Sequence, residues 1–214
     1  TFVRKLLTIT GVRTWKELRG ESCIDVEELP QKKRICTSRS FPDSGLSELS
    51  SLEEAVANFS SECVRKLRMQ HSCCTEITVF AYTSRFRLDL PHHCINRTIQ
   101  QVPTNDLQEL VSTAVRALRI DFCKEGGYQY KKAGVIVWNI VPDSAIQTNL
   151  FDTIDRDKQS RLAAAIDAIN RKNGHNTIKV AVQGTTDKSW HLKCEHISKQ
   201  YTTNMSDIIK VTTD

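Results

Sequence analysis

Two groups of cations and one apolar-tipped peptide are the parts of this chain whose residue types could do chemistry with a partner. Between residues 32 and 41, Lys33, Arg34 and Arg39 are interleaved with Thr37, Ser38 and Ser40. Ammonium and guanidinium groups neutralise the phosphates of a polyanion, and hydroxyls donate hydrogen bonds to their oxygens. A second group, Lys131 and Lys132, stands beside Ala133 and Gly134, two small residues past which a polyanion's backbone could approach the main chain closely. Arg85 and Arg97 are further candidates by the same logic. Such contacts carry no base code, so the expected binding is nonspecific and weakened by salt. The bland reading of residues 32–41 is an edge strand protected by its own charges.

The peptide follows a Pro142-Asp143-Ser144 turn signal and reads Gln147-Thr148-Asn149-Leu150-Phe151. It sets two large apolar side chains next to Asp152 and Asp155, where a loop does not ordinarily bury them. As a docking element, Gln147 makes polar contacts while Leu150 and Phe151 enter a preformed apolar pocket. The alternative is that Leu150 and Phe151 staple the connector onto the helix that follows.

Metal and nucleophile chemistry find less support. His71, Cys73, Cys74, His92, His93 and Cys94 include enough ligand types for zinc, as do His191, Cys194 and His196, but neither set has paired C-x-x-C spacing. Adjacent residues of a strand point to opposite faces, so Cys73-Cys74 and His92-His93 do not each supply two ligands readily. Glu53, Glu54, Asp152, Asp155 and Asp157 sit at helix starts, where they favour the helix dipole. None is placed as a two-metal site requires. No catalytic residue, metal ligand or cofactor is assigned.

The bulk numbers agree with a soluble folded protein. The 214 residues are 39% hydrophobic, enough for a packed core, and carry a formal charge of +5 concentrated in the two basic stretches. The eight cysteines are scattered through apolar segments and read as buried reduced thiols. No apolar run approaches the length of about eighteen residues that a membrane helix needs, and the first residues show no signal-peptide pattern. The expected location is the cytoplasm, and the start at Thr1 reads as that of an excised fragment.

Periodicity supplies the elements that must hold these residues. Phe2, Leu6 and Ile9 share a helical face broken at Gly11, and Trp15 with Leu18 begins another. A strand over residues 32–41 is followed by a helix with a Ser51/Glu54 capping box and the stripe Leu52, Val56, Phe59, Cys63, Leu67. Strands are expected over residues 76–83 and 95–101. Asp106 and Glu109 then cap a helix with the stripe Leu107, Leu110, Val111, Ala114, Leu118, Phe122, stopped at Gly126-Gly127. A last strand covers residues 130–140. The order strand, helix, strand, strand, helix, strand is a split βαββαβ arrangement of class α+β, with both helices on one face of a four-stranded sheet. Beyond it, residues 157–172 read as a helix and Ile178, Val180 and Val182 as a short strand.

The motif Tyr130-Lys131-Lys132-Ala133-Gly134-Val135 followed by Gln147-Thr148-Asn149-Leu150-Phe151 resembles the C-terminal half of UmuC-type Y-family translesion DNA polymerases, the catalytic subunits of polymerase V. Residues 17–23, 36–41 and 198–203 agree in the same order. The resemblance implies four parts: a thumb remnant and linker over 1–31, a little finger DNA-binding domain over 32–141, a connector with a clamp-binding peptide over 142–156, and a small α/β C-terminal extension over 157–214. It implies that Gln147, Leu150 and Phe151 bind the bacterial sliding clamp, and that the sheet grips template-primer DNA. A UmuD-type accessory subunit and RecA are further implied partners, in SOS mutagenesis and DNA repair. The intact parent would be a DNA-directed DNA polymerase using Mg, whose palm carboxylates lie outside this fragment, leaving the fragment noncatalytic.

Two other classes remain open on the residues alone. One is a noncatalytic adaptor whose split βαβ sheet binds protein, with the basic strand as a solvated edge. The other is a zinc- or thiol-dependent hydrolase.

Overall fold

The computed structural model describes residues 2–24, 30–42, 44–145, 154–185, 190 and 197–209. The chain divides into two compact units, Thr1–Gln31 and Lys32–Asp214. The first holds α1, Phe2–Glu17, which is interrupted at Thr8 with φ 62° and ψ −167°. Gly11, the expected breaker, continues the helix. The break falls earlier, at Thr8, where the Thr8 and Thr10 hydroxyls bond at 3.0 Å and Thr10 Oγ1 reaches the Leu7 carbonyl at 3.5 Å. Phe2, Leu6, Leu7 and Trp15 on α1 are all exposed.

The second unit contains the sheet. Its elements run β1 (Ile35–Ser40), α2 (Leu49–Met69), β2 (Ser72–Thr83), β3 (Cys94–Thr104), α3 (Leu107–Asp121), β4 (Tyr130–Pro142) and α4 (Arg156–Asn173). The four strands form one antiparallel sheet in the order β1-β4-β2-β3. Each βαβ crossover therefore leaves one strand's width between its parallel partners. β4 fills the gap between β1 and β2, and β2 fills the gap between β3 and β4. The expected α+β class and split arrangement stand.

The core lies between the sheet and its two helices. Ile35, Ile77, Val79, Ala81, Ile95, Ala133, Val135 and Val137 point to one side of the sheet and are buried there. Against them pack Leu52, Val56, Phe59, Cys63 and Leu67 of α2 with Leu110, Ala114 and Leu118 of α3. Both apolar stripes thus face the core as their spacing requires. The start of α3 is capped as expected, with the Asp106 carboxylate accepting from the Glu109 N–H at 2.9 Å.

Several local expectations are corrected. α2 begins at Leu49, with Glu48 at the cap and no side-chain capping bond, so Ser51 and Glu54 lie within the helix. Glu54 instead accepts from Trp190 Nε1 at 3.3 Å. α3 ends at Asp121 rather than at Gly126-Gly127. β2 starts at Ser72, four residues early, because Cys73 and Cys74 pair with Val141 and Ile140 of β4. The Ile178-Val180-Val182 alternation gives no strand. There the Gln183 side chain accepts from the Val180 N–H at 2.9 Å and closes a 3-10 turn over Ala181–Gln183. The buried Gln183 is tied to α2 by its carbonyl, which accepts from Asn58 Nδ2 at 2.9 Å.

α4 is attached differently from α2 and α3, since none of its residues is buried. Among the described residues, two ion pairs hold it: Arg68 of α2 grips Asp167 with bonds of 2.7 and 2.6 Å, and Arg156 of α4 reaches Glu109 of α3 at 2.8 Å. Among the described residues, no helix is long and apolar enough to cross a membrane.

Candidate nucleic-acid interface

A strand sends alternate side chains to opposite faces, so the register assigns each candidate residue to one side. On β1, Ile35, Thr37 and Arg39 face the helices, and Cys36, Ser38 and Ser40 face away. Ser40 is opposite Lys132 and Ser38 is opposite Gly134. Across β4, Lys132 is opposite Tyr82 and Gly134 is opposite Phe80. β3 adds Cys94, Asn96 and Thr98 to the same rows. The helix-free face is therefore a mixed surface of hydroxyls, amides, one lysine, Ile136 and aromatic rings, with the carboxylate of Glu76 opposite Trp138.

Arg34 joins this face from the start of β1, its guanidinium lying 4.5 Å from the Trp138 ring centroid. Stacking of that kind holds the charge over a flat apolar surface while leaving its N–H donors at the rim. Phe80 and Tyr82 stack at 6.1 Å with their planes 15° apart. The Thr78 and Thr98 hydroxyls bond at 2.7 Å across β2 and β3. Lys33 is exposed before Arg34, and Arg85 is exposed just beyond Thr83, so cations stand at both ends of the surface. Lys131 lies at the Arg85 end, beside Gly45, Thr83 and Arg87.

Three candidates take other positions. The Thr37 hydroxyl accepts from Cys63 Sγ at 3.4 Å and from Lys66 Nζ at 3.5 Å on the α2 side. Arg39 lies over the ring of buried Trp190, 5.7 Å from its centroid. Arg97 is held by both oxygens of Asp121, whose carboxyl that guanidinium pulls below its ordinary range. The basic residues thus do not form one stripe. Arg34, Ser38, Ser40 and Lys132 share a face; Thr37, Arg39 and Arg97 belong to the helix side.

Close approach of a ligand to the main chain at residues 133 and 134 is not available. Ala133 is buried under the helices, and the Phe80 ring covers Gly134 on the other side. The small residue serves the protein's own aromatic side chain. Phe80, Tyr82 and Trp138 are the face residues that charge-based reasoning passed over; the alternation of residues 76–83 already set Phe80 and Tyr82 apart from the core side.

Cysteine positions also divide. Cys63, Cys73 and Cys74 are buried, whereas Cys36, Cys94 and Cys123 are exposed, so only part of the set behaves as core. Burial pushes the Cys63 thiol up to about 11 and that of Cys74 to about 12. Among the described residues, no three His, Cys, Asp or Glu side chains come together as a metal site. The peptide expected to dock through Gln147, Leu150 and Phe151 lies outside the described residues.

A four-stranded antiparallel sheet backed by two helices on one side, with a polar and aromatic surface on the other, defines a little-finger-like α+β domain. Residues 32–150 match the impB/mucB/samB family C-terminal domain, and residues 160–211 match a domain of unknown function, DUF4113. The chain belongs to the impB/mucB/samB family. It is 34% identical over 212 residues to Protein UmuC of Salmonella typhimurium, covering 98% of this chain and 49% of that protein. Protein ImpB of the same organism is 34% identical over 211 residues, with 97% and 48% covered. Protein MucB of Escherichia coli is 32% identical over 209 residues, with 96% and 48% covered. The chain thus spans about half the length of the curated relatives it matches.

Proposed function

We propose that this chain is the DNA-gripping and sliding-clamp-tethering part of an error-prone lesion-bypass DNA polymerase, noncatalytic by itself, working in SOS mutagenesis and DNA repair. The observation that carries the reading is the alignment of Arg34, Ser38, Ser40 and Lys132 on the helix-free face of a domain from this family. Lys132 and Arg34 neutralise phosphates, and the Ser38 and Ser40 hydroxyls donate to phosphate oxygens. From Arg34 to Ser40 the strand runs roughly 20 Å, the axial length of about six base pairs. Lys33 and Arg85 extend the cationic track at its two ends. No residue of this face reads base edges in the scheme, so the grip is independent of sequence.

The connector peptide supplies the second attachment. Gln147, Leu150 and Phe151 dock on the bacterial sliding clamp, with Leu150 and Phe151 as the buried anchors. In the whole polymerase this half holds the template-primer duplex beside a Mg-dependent catalytic half. A UmuD-type accessory subunit and RecA complete the assembly in the bacterial cytoplasm.

The test is binding of the chain to a fluorescein-labelled primer-template duplex, followed by anisotropy between 50 and 200 mM salt. Tight binding at low salt, lost when Arg34 and Lys132 are both changed to Glu, is the expected result. Equal binding by the doubly reversed variant would leave the sheet as the protein-binding surface of an adaptor.

A further inference from the structure

β1 is an edge strand, and the direction of its free hydrogen-bonding groups follows from one bond. The Phe41 N–H donates to the Lys131 carbonyl at 2.8 Å, and continuing the β1/β4 register by one step sets these residues opposite each other. Antiparallel partners alternate between bonded and non-bonded pairs. The odd-numbered residues of β1 therefore exchange bonds with β4, and Cys36, Ser38 and Ser40 send their N–H and C=O groups outward. Among the described residues, no hydrogen bond reaches those outward groups. Edges are ordinarily guarded by charge, proline or a bulge; here the outward positions are Cys, Ser and Ser.

Beside this edge, between α2 and α4, runs a groove of about 610 Å³. Phe59, Met69, Ile166, Ile178 and Trp190 give it apolar walls, and Thr37, Ser38 and Arg39 form its rim along β1. Its acids are already matched, Glu62 by Arg65 at 2.8 Å and Asp167 by Arg68 at 2.6 Å. Among the described residues, its other two arginines, Arg39 and Arg171, have no carboxylate partner. The charge left over is positive.

We propose that the outer edge of β1 receives an extended peptide from a partner protein as a fifth strand, with alternate apolar side chains in the groove beneath α4 and an acidic side chain against Arg39 or Arg171. Three features select a peptide of alternating apolar and acidic residues. The outward ladder supplies main-chain bonds at every second residue, the groove accepts the side chains of one parity, and the surplus cations set the charge. A nucleic-acid strand would leave the ladder unmatched and the apolar walls uncovered. The proposal uses the edge and the helix side of β1, so it stands apart from DNA binding at the helix-free face.

The experiment is selection of a displayed library of ten-residue peptides, alternating apolar and acidic positions, on the full chain, followed by anisotropy with the best labelled peptide. Enrichment of such peptides, with at least about tenfold weaker binding to Ser38→Pro and to Arg39→Glu/Arg171→Glu, is expected. Proline at residue 38 removes an outward N–H and leaves the bonds to β4 intact. Circular dichroism of Ser38→Pro checks the fold. Independently, hydrogen exchange on the unmodified chain should show the Ser38 and Ser40 amides slowed when peptide is bound. Failure to enrich any peptide, unchanged binding to all variants, or displacement of the peptide by duplex DNA with no slowing at Ser38 overturns the proposal.

Discussion

The ring of Phe80 lies where a side chain at Gly134 would have to go. A Cβ built at residue 134 would sit 2.8 Å from Phe80 Cε1 and 2.5 Å from Ser38 Cβ. Three strands thus meet at one glycine, with the Phe80 ring of β2 covering Gly134 of β4. Changing Gly134 to Val should cost about 1–3 kcal/mol through this overpacking. Urea denaturation measures it, and adding Phe80→Ala should return part of the loss because the two positions share one space.

Lys132 and Arg97 test the proposal that DNA binds on the helix-free face. If the helix-free face binds phosphates, Lys132→Ala should weaken duplex binding and reduce the slope of log affinity against log salt by about one. Arg97→Ala, whose cation is spent on Asp121, should leave both quantities near their original values. Equal effects at the two positions would contradict the assignment of faces.

Arg68–Asp167 is one of the ion pairs that tie α4 to α2 and α3. With no residue of α4 buried, removing this two-point bond should loosen the helix while the sheet stays folded. Charge-assisted bonds contribute about 1.5–3 kcal/mol, so Arg68→Ala should speed amide exchange in α4 by roughly 10- to 100-fold. Exchange in β2 and β4 should not change. Slower loss of protection in α4 than in β2 would show that packing, not the ion pair, holds it.

Thiol accessibility should follow the burial pattern. In the folded chain at pH 8, iodoacetamide should modify Cys36, Cys94 and Cys123 and spare Cys63, Cys73 and Cys74, as read by peptide mass spectrometry. Above pH 9 the buried thiols should also lower stability. Cys63 and Cys74 ionise at about 9 when unfolded and are raised to about 11 and about 12 when folded, so the unfolded state releases protons first. Their contribution is complete below pH 9 and fades as pH rises through the folded values. The urea midpoint should therefore fall between pH 9 and 11, and less steeply in Cys74→Ala.

Much of this architecture can be read from periodicity because the core stripes are strong. Leu52, Val56, Phe59, Cys63 and Leu67 recur at helical spacing, and Ile77, Val79 and Ala81 at strand spacing, so type and facing follow directly. Where local side-chain bonds compete, the sequence misleads. Gln183 folds back on Val180 and defeats an alternating Ile178-Val180-Val182 pattern. The candidate site was legible as a list but not as a surface. Lys131, Lys132, Ser38, Arg39 and Arg97 look alike in sequence, and only the pairing of β1 with β4, together with the partners Asp121 and Trp190, divides them. Trp138 beneath Arg34 could not be anticipated, since the two residues are 104 positions apart and meet only through that register.

The position of β4 has a consequence for how the domain is made. It is the last strand of the sheet in the chain, yet it lies between β1 and β2, which have no contact ladder with each other. On a ribosome, β2 and β3 can pair as a hairpin while α2 and α3 emerge, but β1 must wait unpaired until residues 130–142 have been synthesised. A nascent chain halted before Tyr130 would therefore expose both β1 and the buried flank of β2 to chaperones, and the sheet would close in one late step.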